Sequence, residues 1–197
     1  MAEEKQSVRA FVAIHLPPNV REKLRMAQAD LERAIPESAV RWTPFEQLHL
    51  TLEFLGNVAP ENLPPMEGAL KQVATVHRPF ELSARCVGAF SSIRNPRVIW
   101  AGVEGAIDPV KALQADVKTS VHSLVTEQET RAYKPHVTLG RVRPIKGRDL
   151  RQVADALAAT KEWDFGSWRV DAFALMQSKL SSHGSQHSTL ATFPLGG

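Results

Sequence analysis

Three copies of a His-x-Thr-Leu string punctuate this chain: HLTL at His49 and Thr51, HVTL at His136 and Thr138, and HSTL at His187 and Thr189. With seven histidines and ten threonines in 197 residues, fewer than one His-x-Thr is expected by chance. For a lone copy the plain reading is a strand whose polar face meets solvent. A pair suits a definite chemistry, phosphoryl transfer by two imidazoles that titrate near neutrality. One takes a proton from the attacking oxygen and the other gives one to the leaving oxygen, each role being worth roughly 10²–10⁴-fold in rate. Threonine hydroxyls can donate to the non-bridging phosphate oxygens, and a cation should hold the anion. Arg141, just past the second copy, is the nearest cation. Strict alternation puts it on the face of Leu139, away from His136.

Those residues need strands to carry them, and the surrounding pattern supplies strands in a repeated order. VRAFVAIHL reads as a strand ended by Pro17-Pro18. Val20, Leu24, Ala27, Leu31 and Ile35 then mark one helical face, with Pro36 as the stop. The strand at His49 follows, then a helix over 60–76 and a strand over 80–90. The second half repeats this with a strand over 97–103, a helix over 109–125, the strand at His136, and a helix over 148–159. Strand patterns in 164–179 and at STLATFPL complete it. Phe11 lies 38 residues before His49, as Val98 does before His136. The helix after each motif opens 12 residues on, at Glu61 and Arg148. The chain reads as a duplication: an α+β, bilobal fold of two βαβαβ units. Two antiparallel-rich sheets would face a central cleft, with helices outside. Residues 1–197 form one bilobal domain, with halves at about 1–92 and 93–197 and a crossover near GAFSSIRNP.

Alternation on a strand puts His49 and Thr51 on one face and Leu50, Leu52 and Phe54 on the other. HSTL follows a polar turn rather than a helix, so His187 reads as a solvated strand start, with the rim of the cleft as the other reading. Phe11 offers either a base-stacking ring or a core side chain. Tyr133 reads as packing or cleft lining, Trp100, Trp163 and Trp168 as core, and Trp42 as either. His15, His77 and His122 read as surface residues. Arg94 and Arg97 would sit on solvated surface or a positive rim. The single cysteine, Cys86, reads as a small core residue, and no zinc-type spacing occurs. A net charge of +3 without a basic tail argues for local rather than bulk contact with nucleic acid. No apolar run reaches membrane-spanning length and no secretory leader opens the chain, so a cytoplasmic protein without membrane contact is expected.

The pair HLTLEFLG and PHVTLGRV resembles the two-histidine phosphoesterase superfamily, and within it the RNA 2′,3′-cyclic phosphodiesterases, also called 2′-5′ RNA ligase-like proteins. RAFVAIHLPPNV, RWTPFEQLHLTLEFLGNV, NPRVIWAGV and the closing TFPL extend the resemblance over nearly the whole chain. It implies that His49 is the proton donor to the leaving ribose oxygen and His136 the proton acceptor that activates water. Thr51, Thr138 and Arg141 would bind phosphate, with Phe11 as a further substrate contact. The expected reaction opens 2′,3′-cyclic phosphates at RNA ends or nucleotides to 2′-phosphomonoesters, with 2′-5′ ligation as its reverse. No metal or cofactor is implied, and a monomer without an obligate partner is expected. Other two-histidine reactions, on ADP-ribose cyclic phosphate or 2′-5′ oligonucleotides, and a non-catalytic RNA-end-binding module are the alternatives. In this family the region of His187 often carries an aromatic residue, so the histidine is a departure.

Overall fold

Residues 10–14 of the first strand, β1 (Val8–His15), are buried on both faces, and that double burial organises the fold. Ala10, Val12 and Ile14 enter the main core, while Phe11 and Ala13 join Ala174 and Met176 in a second apolar cluster. The computed structural model describes residues 7–125, 130–160, 162–181 and 184–196. After β1 come α1 (Pro18–Ala34), a short β2 (Val40–Trp42), β3 (His49–Val58), α2 (Leu63–Val76) and β4 (Phe80–Ser92). The second half supplies β5 (Asn95–Gly105), α3 (Ile107–Val121), β6 (His136–Val142), α4 (Gly147–Ala158), β7 (Asp164–Val170), β8 (Ala172–Ser181) and β9 (Gly184–Pro194). The expected elements are therefore present, with β2 as an addition. Residues 182 and 183, in the turn before the third motif, lie outside the described residues.

Every pairing is antiparallel, in the order β7-β4-β5-β6-β3-β1-β8-β9, with β2 against β6. The two lobes' sheets meet at a thin seam, one bridging pair between Leu50 and Val137, which makes nine strands continuous. Tyr133 adds a second tie there, its hydroxyl donating to the Thr51 carbonyl at 3.0 Å. Packing with one hydrogen bond is thus what Tyr133 does.

The halves of the chain do not coincide with the halves of the sheet. β4 ends the first half in sequence yet pairs with β5 and β7, while β8 and β9 return to β1. The reason is local. Ser92 pairs with Asn95, so Ile93 and Arg94 form a two-residue hairpin turn, and such a turn makes its strands antiparallel neighbours. GAFSSIRNP is this hairpin and not a crossover between lobes. Cys86 sits at a bulge in β4, half-buried at φ 56°, its N–H donating to the Trp163 carbonyl at 2.7 Å, rather than in the core.

The helices bury one face each against the sheet: Val20, Leu24, Ala27 and Leu31 from α1, Met66 and Leu70 from α2, Val110, Leu113 and Val117 from α3. Burying such a side chain fully contributes about 1.5–3 kcal/mol. Three buried polar side chains sit in this layer. Gln114 donates to Glu53 at 2.7 Å, and Gln28 Nε2 donates to the carbonyls of Thr43 at 2.9 Å and Leu139 at 2.8 Å. Gln28 thereby clamps the exit of β2 onto β6.

Candidate active site

The two motif strands carry the same irregularity. Along β3, Val12 faces Glu53 and Ala13 faces Thr51, so Leu52 has no partner; along β6, Ile99 faces Gly140 and Trp100 faces Thr138, so Leu139 has none. A bulge sets two residues against one and reverses the alternation beyond it. Leu52 and Glu53 are both buried, as are Leu139 and Gly140. The residue after each such pair therefore turns to the cleft.

This corrects two expectations. Phe54 does not anchor the strand with Leu50 and Leu52; it is 55% exposed and lines the cleft. Arg141, which alternation assigned to the Leu139 face, lines the cleft with Thr138. The equivalence is one of register, since Phe11 pairs with Phe54 where Val98 pairs with Arg141. A bulge needs only one extra residue and leaves no mark in composition, so alternation read from sequence misses it.

The cleft has a volume of about 690 Å³ and holds His49, Thr51, Thr138, Arg141 and Phe11 together, with His187 as well. Each of the first two motif histidines is held alike. His49 Nδ1 lies 2.6 Å from the Gln47 carbonyl and His136 Nδ1 lies 2.7 Å from the Lys134 carbonyl, in both cases two residues upstream. A carbonyl only accepts, so each Nδ1 carries the proton and each Nε2 keeps its lone pair for chemistry. An aromatic ring backs each imidazole. Phe11 lies 4.9 Å from His49 and Phe90 lies 4.7 Å from His136, centroid to centroid. Sequence reasoning missed these supports because backbone carbonyls have no side-chain signature and Phe90 sits on a strand lent by the other half.

His187 is not a solvated strand start. Its ring packs 5.4 Å from His49 and 4.9 Å from Phe11, with Nδ1 buried and without a hydrogen-bond partner. The β1-β8-β9 pairing brings it to the side of the sheet that holds Phe11 and His49. Thr189 lies 3.4 Å from His15 Nε2. Phe11, 3% exposed, is a floor under His49 and His187, while Phe54 is the open ring. Trp100 faces the same way as Thr138 and crosses Gly88, where any side chain would strike its ring, so it is not a core residue. Trp42 lines the cleft, and Trp168 is core as expected. Arg94 and Arg97 are exposed on the hairpin and do not line the cleft. His77 pairs with Asp116 at 2.8 Å. Among the described residues no cluster of three or more His, Cys, Asp or Glu is arranged to hold a metal ion, and no helix is long and apolar enough to cross a membrane.

The model of the family described as "LigT like Phosphoesterase" matches residues 14–100 and 102–185. The chain belongs to the LigT-like phosphoesterase family. A protein of Methanothermobacter thermautotrophicus named RNA 2′,3′-cyclic phosphodiesterase is 31% identical over 188 residues, covering 95% of this chain and 99% of the relative. One of the same name from Archaeoglobus fulgidus is 33% identical over 186 residues, covering 94% and 99%. A crystal structure of a Thermus thermophilus protein superposes with a TM-score of 0.79 at 31% identity, covering 96% of this chain and 98% of the other.

In this LigT-like cleft the histidines are held neutral. Burial pushes the His49 imidazole down to about 4, helped by the neighbouring His187, His15 and His136 and opposed by the Gln47 carbonyl. Burial also lowers His136, with Arg141 adding to it. His187 and His15 are lowered as well, chiefly by burial. Each depressed imidazole makes the unfolded chain bind more protons than the folded one as pH falls below the ordinary histidine value. Stability is therefore full above pH 6.5 and is lost as pH drops toward 4, each pKa unit of depression amounting to about 1.36 kcal/mol. Denaturant unfolding between pH 7 and 4 is expected to show this slope, and His49→Ala to flatten it. An unchanged slope in that variant, or an NMR titration of His49 near pH 6.5, would contradict the assignment.

Proposed function

We propose that this chain opens ribose 2′,3′-cyclic phosphates at RNA ends or on nucleotides, giving 2′-phosphomonoesters by proton transfer between His136 and His49. The observation that carries the reading is the matched pair of imidazoles. Each is fixed through Nδ1 to a carbonyl two residues upstream, which leaves Nε2 free; His49 lines the cleft with Thr51, Thr138 and Arg141, and His136, one residue from Val137 of the seam and two from Thr138, is near enough to His49 to help lower its pKa. Relatives of this length, named RNA 2′,3′-cyclic phosphodiesterases, support the substrate.

On this reading water attacks phosphorus and gives its proton to His136 Nε2. The phosphorus–O3′ bond breaks, and O3′ takes the proton on His49 Nε2, leaving a 3′-hydroxyl and a 2′-phosphate. His49 is neutral in the free protein, so it must gain its proton as the anion arrives. A negative phosphate in contact favours the imidazolium. A low intrinsic pKa then helps, because the proton is released more readily to the leaving oxygen. Thr51 and Thr138 donate to the non-bridging oxygens, and Arg141 balances their charge. His187 and Phe11 hold His49 edge-on and from beneath.

Product analysis tests this directly. Hydrolysis of a nucleoside 2′,3′-cyclic phosphate should yield the 2′-phosphate and proceed unchanged in EDTA. A 3′-phosphate product would reverse which oxygen leaves, and abolition by EDTA would overturn the two-histidine mechanism.

A further inference from the structure

β2 has only three residues, and its outward one sets up an arrangement that the cyclic phosphate alone does not explain. Arg41 pairs directly with Arg141 across β2 and β6, and both line the cleft. Directly opposed side chains share a face with their Cβ atoms about 4.5–5.5 Å apart, and like charges so placed are destabilising. The ion pairs among the described residues engage neither guanidinium. The strand that imposes this repulsion is nonetheless firmly built. Val40 is buried, a side chain on Gly140 would meet Val40 and Trp42, and buried Gln28 clamps Thr43 and Leu139 together. Trp42, Thr43 and Pro44, which follow Arg41 in the chain, line the same cleft.

We propose that Arg41 is a second phosphate subsite, holding the phosphodiester one nucleotide upstream of the cyclic phosphate that Arg141 binds. This rests on the reading above and narrows its substrate class: an oligonucleotide end is preferred over a free nucleotide. Two neighbouring guanidiniums match two neighbouring phosphates on one strand, and the bound strand relieves the repulsion between them.

The test compares kcat/KM for a nucleoside 2′,3′-cyclic phosphate and for a trinucleotide ending in one, in wild type, Arg41→Gln and Arg41→Lys, across a series of KCl concentrations. Wild type should prefer the trinucleotide. Arg41→Gln should lower the trinucleotide-to-mononucleotide ratio by about ten-fold and shrink the trinucleotide's log–log salt slope by about 0.7. Arg41→Lys should recover part of the ratio. The melting temperature of Arg41→Gln should be unchanged or higher, because a like-charge pair is gone. An equal loss on both substrates would place Arg41 on the cyclic phosphate itself and overturn the proposal. An unchanged ratio, or a lowered melting temperature with the salt slope intact, would overturn it too. A wild-type protein that opens neither substrate would instead remove the underlying cyclic phosphodiesterase reading.

Discussion

His136→Ala is expected to lower kcat on a nucleoside 2′,3′-cyclic phosphate by about 10²–10⁴-fold, and His49→Ala by a similar factor. The two should not multiply in the double variant, because a base without its acid partner still faces a poor leaving group. Neither change threatens the fold. Both imidazoles are only half-buried, on the side of the sheet opposite the helices, and their strands are anchored by Leu50, Leu52, Val137 and Leu139, all at 2% exposure or less. Thermal unfolding should therefore stay within a few degrees of wild type while the rate collapses. The pH profile gives the sharper check. A wild-type bell should lose one limb in each variant, a different limb for acid and base. Full activity in either variant would end the mechanism.

Arg141→Gln is expected to cost about 10–100-fold in kcat/KM, the loss of a charged hydrogen bond worth about 1.5–3 kcal/mol. Arg141→Lys should recover only part, since an ammonium cannot meet two phosphate oxygens as a guanidinium does. The same change reads the electrostatics without substrate. The Arg141 charge helps hold the His136 imidazole below its ordinary value, so removing it must let that pKa rise. An NMR titration of His136 in Arg141→Gln that shows no upward movement would contradict the geometry. So would full activity, because the bulge at Leu139 would then have turned Arg141 into the cleft without consequence.

Periodicity and spacing were sufficient to place the principal helices and strands, the duplication and the histidine pair. Period-2 and period-3.6 burial are local properties, and the helices folded with their apolar faces inward, as did the motif strands up to their bulges. The 38-residue spacing even located the register equivalence of Phe11 and Val98. What stayed hidden depended on partners distant in the chain. Phe54 and Arg141 face the cleft because one unpaired residue reverses each strand, and only the neighbouring strand shows which residue is unpaired. β2 was invisible because three residues carry no period; pairing with β6 makes it a strand. His187 lies in a stretch that reads as a polar turn, and it reaches His49 because β8 and β9 return to β1. The Nδ1 acceptors are backbone carbonyls, which every residue has. The sequence by itself determined which imidazoles and hydroxyls the two motif strands carry on one face. Only the tertiary structure decided how deeply they are buried, which nitrogen they present, and that two arginines stand side by side at the edge. Burial, tautomer and charge proximity are set by contacts between strands, and the order of residues along one strand does not contain them.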